Sequence, residues 1–213
     1  MTAPVLEPTE ENITRAAECI RDGGVIVAPS DTNLALTLDP WNPQAVRRAY
    51  EIKDRPEHKP LTLFVHDPAD WRRYASHDDP DRVDSLVEEF WPGPLNLVLR
   101  RTERVDDARL QRDGTVAVGC LENPTWRVLA ARVGGPVAMT SANQSGTVDD
   151  DTLVDVALAR EHVGDAVDLI LEGAAQGTTR ASTILDMSGD PTILRQGDID
   201  APALRTVLGT DAL

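Results

Sequence analysis

Cysteine and lysine are nearly missing from this sequence, and aromatic residues are few. Only Cys19 and Cys120 could form a disulfide, and neither has a partner at metal-site spacing. Cys19 falls on an expected helix and Cys120 at the end of an apolar run, so both are expected to be buried free thiols. No apolar run approaches the roughly 18 residues that span a bilayer. The first eleven residues are acidic and contain proline, without a basic and then apolar leader, so the expected compartment is the cytoplasm. The P-loop pattern, G-x-G-x-x-G, H-E-x-x-H, C-x-x-C and the nucleophile elbow G-x-S-x-G do not occur. His58, His66, His77 and His162 do not pair at ligand spacing on one helix face. Common hydrolases, metalloenzymes and dinucleotide-binding folds are therefore disfavoured.

What is present is acid. The 213 residues carry a formal net charge of -15. A surface of that sign repels a phosphate backbone, so direct nucleic-acid binding over a broad face is not expected. Of the 21 basic residues apart from histidine, only Lys53 and Lys59 are lysine. A chain that otherwise uses arginine keeps its two lysines six positions apart. Lysine is a compact point charge and arginine a planar fork, so the pair marks a spot that suits an ammonium. A solvated helix end would also accommodate both.

Apolar β-type runs alternate with amphipathic helical stretches, without internal repeats. Strands are expected at 25–28, 61–65, 95–99, 115–118, 137–140, 182–187 and 192–194. Helices are expected at 13–20, 43–52, 80–90, 124–133, 153–162 and 201–208, the fourth capped by Asn123 with proline at its first position. The acidic run 149–152 suits the N-terminus of the fifth. Segment 67–81 is polar and fits a surface helix plus loop. The polar loop between strands 95–99 and 115–118 implies some antiparallel pairing. The expectation is one α/β (α+β) domain over residues 1–213, with its core at about 13–199 and a mixed sheet.

Three polar clusters sit at strand ends, where open α/β sheets place ligands. They are Pro29-Ser30-Asp31-Thr32, Lys53 to Pro60, and Thr140 to Gly146. Lys53, Arg55 and Lys59 put three cations within seven residues, which suits a polyphosphate. Each cluster alone also fits a turn or a helix cap; together they fit one anion site better.

These residues resemble the YrdC-type threonylcarbamoyl-adenylate synthases. The resemblance rests on Gly23-Gly24 leading to Pro29–Thr32, Lys53-x-Arg55-x-x-x-Lys59-Pro60-Leu61, Trp91-Pro92-Gly93-Pro94, and Thr140-Ser141-Ala142-Asn143-x-Ser145-Gly146. Ser182–Asp186 and Arg195-x-Gly197 complete it. It spans roughly residues 13–199, with the motifs in order. It implies a twisted, mostly open mixed sheet with surrounding helices and a large concave cavity. It also implies ATP, bicarbonate and L-threonine as small-molecule substrates, with Mg²⁺ on the pyrophosphate. The amino acid's carbamate would attack the α-phosphate of ATP. The carbamoyl-adenylate would pass to a downstream transferase that modifies tRNA. By motif, Lys53 and Arg55 would be the catalytic cations on the triphosphate. Ser141, Asn143 and Ser182 would line the nucleotide and carbamoyl site. Arg195 would grip phosphate from the far wall, with Thr32 and Lys59 near the amino-acid end.

The sequence also departs from that pattern. Asn33-Leu34-Ala35-Leu36 replaces Val-Tyr-Gly-Leu, and Asn96 stands for threonine. Gly119 stands where an arginine is usual, and Phe64 where many relatives have histidine. These changes, Asn96, Gly119 and Phe64 among them, cluster on the acceptor side, with Phe64 and Gly119 expected to meet substrate, while the ATP-side motifs stay intact. Losing a bidentate arginine costs on the order of a few kcal/mol of binding, which argues against neutral drift and for an altered acceptor. Two rival readings remain: a carbamoyltransferase that uses carbamoyl-adenylate on a non-threonine acceptor, and a non-catalytic nucleotide- or RNA-binding module. The missing partner domains count against the first. The acidity and the retained Lys53, Arg55 and Arg195 count against the second.

Overall fold

The computed structural model describes residues 2–149, 152–173 and 177–209. In chain order its elements are β1 (Val5–Leu6), α1 (Glu10–Arg21), β2 (Val25–Pro29), β3 (Leu34–Leu38), α2 (Pro43–Lys53) and β4 (Thr62–Phe64). A 3₁₀ turn (Pro68–Asp70), α3 (Trp71–Tyr74), β5 (Ala75–Ser76), α4 (Pro80–Phe90), β6 (Gly93–Arg101) and β7 (Thr115–Cys120) follow. The chain continues through α5 (Pro124–Val133), β8 (Val137–Ser141), α6 (Val156–Val163), β9 (Ile170–Leu171), β10 (Thr183–Asp186), β11 (Thr192–Arg195) and α7 (Ala201–Leu208).

The strands form one mixed sheet in the order β1-β9-β2-β3-β8-β4-β7-β6-β10-β11, with β5 attached to β6. β6 and β7 pair antiparallel, as their connecting loop suggests, while β4–β7 and β6–β10 are parallel. Side chains alternate across the strands. One face carries Leu34, Leu36, Leu38, Leu63, Val116, Val118, Leu95, Leu97, Leu99 and Leu185 into a single core, closed by α2, α3, α4, α6 and α7. The other face is covered over only part of its width. There α1 and α5 bury Ile26, Ala28, Ala35, Val137, Met139 and Phe64 against Ile13, Ala17, Ile20, Trp126 and Leu129. Over β7, β6 and β10 that same face is bare.

Helix ends follow their sequence signals. Asn42 and Asn123 cap α2 and α5 through side-chain oxygens, and each helix has proline in its first turn. Asp54 ends α2 in the left-handed conformation with φ 48° and sends the chain away from the helix axis.

Three expectations need correction. The helix expected at 153–162 starts at Val156, because Asp155 is the cap and its carboxylate accepts the Leu158 amide. Of the acidic run proposed to cap it, Asp150 and Asp151 lie outside the described residues. Segment 67–81 adds a two-residue strand, β5, after its helical turns, and Trp71 and Tyr74 anchor it in the core. Cys120 is buried as expected, and burial pushes its thiol up to about 11, but Cys19 is only partly buried. β3 is central to the sheet yet was absent from the expected strands.

Candidate functional site

The bare part of the sheet is the floor of a cavity of about 780 Å³. Thr62, Phe64, Ala117, Asn96, Val98 and Ile184 form the floor, all on the face opposite the large core. Thr32, Asn33, Arg55, Lys59, Ser141, Ser182 and Arg195 stand around it. The sequence placed most of these residues at one anion site, and the fold brings them to one cavity.

The Ser30–Asn33 turn is built by its own side chains. Ser30 Oγ donates to Asn33 O (2.7 Å) and accepts from the Asn33 amide (3.0 Å). Asn33 then accepts the Val154 amide through Oδ1 at 2.6 Å, which ties the turn to the segment before α6. Thr32 is buried at the cavity wall, with Oγ1 accepting from Asn33 Nδ2 at 3.3 Å. Asp31 is almost wholly enclosed. Its carboxylate accepts the amides of Glu122 (2.9 Å) and Asn123 (2.7 Å) at the start of α5. Burial raises its pKa, against the pull of those two donors.

The cationic loop is wound around Tyr50 and Arg55. Tyr50 donates its hydroxyl to Lys59 O at 2.7 Å, and Arg55 donates to Lys59 O and Pro60 O, each at 2.8 Å. This leaves Arg55 in the cavity wall and Lys59 exposed at its rim.

Lys53 is placed differently from the expectation. Its side chain is only 2% exposed and does not line the cavity. The ammonium donates to the main-chain carbonyls of Ser141 and Asn143. In return, the Ser145 amide donates to Lys53 O at 2.9 Å. Lys53 therefore fastens the loop after β8 to the end of α2, and its ammonium is spent on protein rather than aimed at a ligand. Burial, reinforced by Arg55 and Lys59, brings its pKa down to about 7. Asn143 also acts from behind. It is buried, and its Oδ1 accepts the Ser141 hydroxyl at 2.6 Å, orienting that hydroxyl at the cavity wall. Ser182 lines the opposite wall, and its carbonyl accepts from Arg195 Nε at 2.9 Å.

Gly119 lies under the floor between Phe64 and Asn96. A Cβ there would come within 2.6 Å of both Asn96 Oδ1 and Phe64 Cε1. Phe64 is held from behind by an edge contact with Trp126, ring centroids 6.3 Å apart at 70°. The sequence reading gave Asn96 no role beyond a departure on the acceptor side and did not assign Arg112, Asp113 or Asp186 to the site, yet all four line the cavity. The Asp113-Gly114 turn signal at the head of β7 was the available clue for Arg112 and Asp113.

Among the described residues no group of three or more His, Cys, Asp or Glu side chains converges to hold a metal, and no helix is long and apolar enough to cross a membrane.

Known proteins are similar to this chain in sequence and in fold. A threonylcarbamoyl-AMP synthase of Marinobacter nauticus is 30% identical over 186 residues, covering 87% of this chain and 96% of the relative. The structure of P. abyssi Sua5 complexed with L-threonine superposes with a TM-score of 0.87 at 27% identity. That match covers 98% of this chain and 61% of the Sua5 chain, so this chain spans only part of Sua5. E. coli YciO superposes with a TM-score of 0.82 at 25% identity, covering 96% of this chain and all of YciO. The family model Sua5_yciO_yrdC, described as telomere recombination, matches residues 18–197, and the chain belongs to that family.

Proposed function

We propose that this chain makes a carbamoyl-adenylate from ATP, bicarbonate and L-threonine, with release of pyrophosphate. The observation that carries the reading is the cavity itself: a neutral sheet floor ringed by Arg55, Lys59, Arg195 and small hydroxyl side chains. Its likeness to a Sua5 structure complexed with L-threonine supports the amino acid.

In this reading Arg55, Lys59 and Arg195 neutralise the triphosphate, and Arg55 is the catalytic contact at the reacting phosphate. The Ser141 hydroxyl, oriented by Asn143, and Ser182 position the α-phosphate and the carbamate. Lys53 is a positioning residue that acts through the 141–145 loop. Thr32 meets the amino-acid end. The threonine amine captures carbon dioxide from bicarbonate to give the carbamate and loses a proton. A carbamate oxygen then bonds to the α-phosphorus as the bond to the bridging pyrophosphate oxygen breaks. No side-chain nucleophile is required; rate comes from alignment and from fixed positive charge facing the developing phosphorane. Mg²⁺ enters as the counter-ion of the ATP triphosphate, part of the substrate, since the described residues offer it no cage of their own.

The mixed anhydride is prone to hydrolysis, so a transferase would collect it in the cytoplasm. The net charge of -15 opposes direct tRNA contact by this chain. The test is pyrophosphate release from ATP and bicarbonate across an amino-acid panel. Threonine-dependent release is expected. Release with another amine alone would replace threonine as acceptor, and no release with any amine would end the synthase reading.

A further inference from the structure

The residues that set Gly119 apart lie in one register row. Arg195 pairs with Ile184, Ile184 with Asn96, Asn96 with Gly119, and Gly119 with Phe64, across β11, β10, β6, β7 and β4. Three successive members of this row depend on one another. The space over Gly119 that a Cβ would occupy is taken by Asn96 Oδ1 and by the edge of the Phe64 ring. Phe64 cannot retreat, because Trp126 stands behind it.

Asn96 is a polar side chain 6% exposed on the cavity floor, and its Oδ1 is buried without a hydrogen-bond partner among the described residues. An unpaired buried amide oxygen is costly and uncommon in a finished structure. The neighbouring side chains cannot relieve it: Phe64, Ile184 and Val98 are apolar, and Gly119 has none. A bound ligand can.

The chemistry of that ligand group follows from the amide. Asn offers one acceptor and two donors and carries no charge. It is complementary to a neutral group that both donates and accepts, a hydroxyl or a carboxamide. It does not neutralise a carboxylate or a phosphate. Arg55 and Lys59 lie towards the Thr62 end of β4, two residues, or about 7 Å, from Phe64 along the strand. Arg195, two strands from Asn96 in the same row, meets the triphosphate from the far wall, so in this reading the phosphates lie between the Thr62 end and the β11 edge rather than on the Asn96 amide. With so little of Asn96 exposed, only a small group reaches its amide, whereas a purine needs an open face such as the one beside Leu194, 57% exposed at the mouth.

We propose that Asn96, held against Phe64 over Gly119, reads the side chain of the amino acid being carbamoylated and selects a neutral hydroxyl or carboxamide. The inference rests on the synthase reading for the identity of the ligand. It makes Asn96 a specificity-determining residue.

Threonine and valine have nearly the same shape and differ by a hydroxyl for a methyl, so the pair isolates the contact. Calorimetric binding of each amino acid, and pyrophosphate release with each, are measured for the wild type, Asn96→Leu and Asn96→Asp. The wild type is expected to favour threonine over valine. In Asn96→Leu that preference falls by about tenfold to a hundredfold, the range of a lost buried hydrogen bond, while ATP affinity is unchanged. Asn96→Asp, which puts a carboxylate over the same glycine, weakens threonine binding without restoring valine. A threonine-to-valine ratio in Asn96→Leu equal to that of the wild type overturns the proposal. So does a wild type that binds both alike. If the wild type binds threonine over valine through Asn96 but releases no pyrophosphate, the synthase reading fails and the specificity role stands. Release with threonine and valine alike has the reverse meaning.

Discussion

Lys53 places its buried ammonium on the main-chain carbonyl of Ser141, so the last residue of α2 carries the loop that ends β8. A lysine that sequence alone assigns to a phosphate is here a fastener for the residues that meet the phosphate. Lys53→Met keeps most of the side-chain volume and leaves the carbonyls of Ser141 and Asn143 without this donor. Each unpaired buried group costs about 1–3 kcal/mol, so the urea midpoint is expected to fall. A displaced Ser141 hydroxyl is expected to lower kcat/KM for pyrophosphate release on the order of a hundredfold. Turnover near the wild-type level would show that the loop holds without Lys53.

The same lysine predicts a pH effect. In the folded chain burial brings its pKa down to about 7; unfolded, it returns to the ordinary lysine value of 10.5. Between those values the unfolded chain binds more protons than the folded one, so this group makes unfolding harder as pH rises. The ligand-free wild type is expected to gain stability from pH 7 to 9 relative to Lys53→Met. A triphosphate nearby favours the ammonium and raises its pKa again. ATP binding near pH 8 should therefore take up a proton, seen as a binding enthalpy that changes with the ionisation enthalpy of the buffer. Lys53→Met should lose that dependence.

Gly119→Ala tests the locked floor. The new Cβ would lie 2.6 Å from Phe64 Cε1 and Asn96 Oδ1, and overpacking of this kind costs about 1–3 kcal/mol. Adding Phe64→Leu removes the ring edge. The double variant is expected to be more stable than the sum of the two single changes predicts. Strict additivity in urea unfolding would mean that the two side chains do not share the space.

Asp31→Ala leaves the amides of Glu122 and Asn123 without their carboxylate. The loss should be about 1–3 kcal/mol, read from urea unfolding. Asp31→Asn should recover part of it, because its amide keeps one acceptor and turns donors towards a donor.

Much of this was legible in the sequence. Helices at 80–90, 124–133 and 201–208 have their expected bounds, since each starts at a capped proline or a proline-containing first turn. β3 was not legible. Leu34-Ala35-Leu36-Thr37-Leu38 alternates, but leucine and alanine are strong helix formers, and only pairing with β2 on one side and β8 on the other makes it a strand. β1, β5 and β9 have two residues each, too few for any period to register. At the site, Arg55, Lys59, Ser141, Ser182 and Arg195 line one cavity, while Lys53 does not. Asn96 showed only as a departure from the family pattern, because its meaning depends on Gly119 and Phe64 in neighbouring strands. The inward turn of Lys53 depends likewise on where the 141–145 loop passes.

The half-covered sheet has a consequence for how this protein can change. In β6, Leu95, Leu97 and Leu99 belong to the core, while Asn96 and Val98 belong to the cavity. Substitution at alternate positions can thus revise what is bound while the hidden scaffold stays as it was. Insertion cannot. One extra residue within β6 would exchange the two sets, setting leucines in the cavity and Asn96 in the core. Stability and recognition, separable by point mutation, would fail together from a single codon.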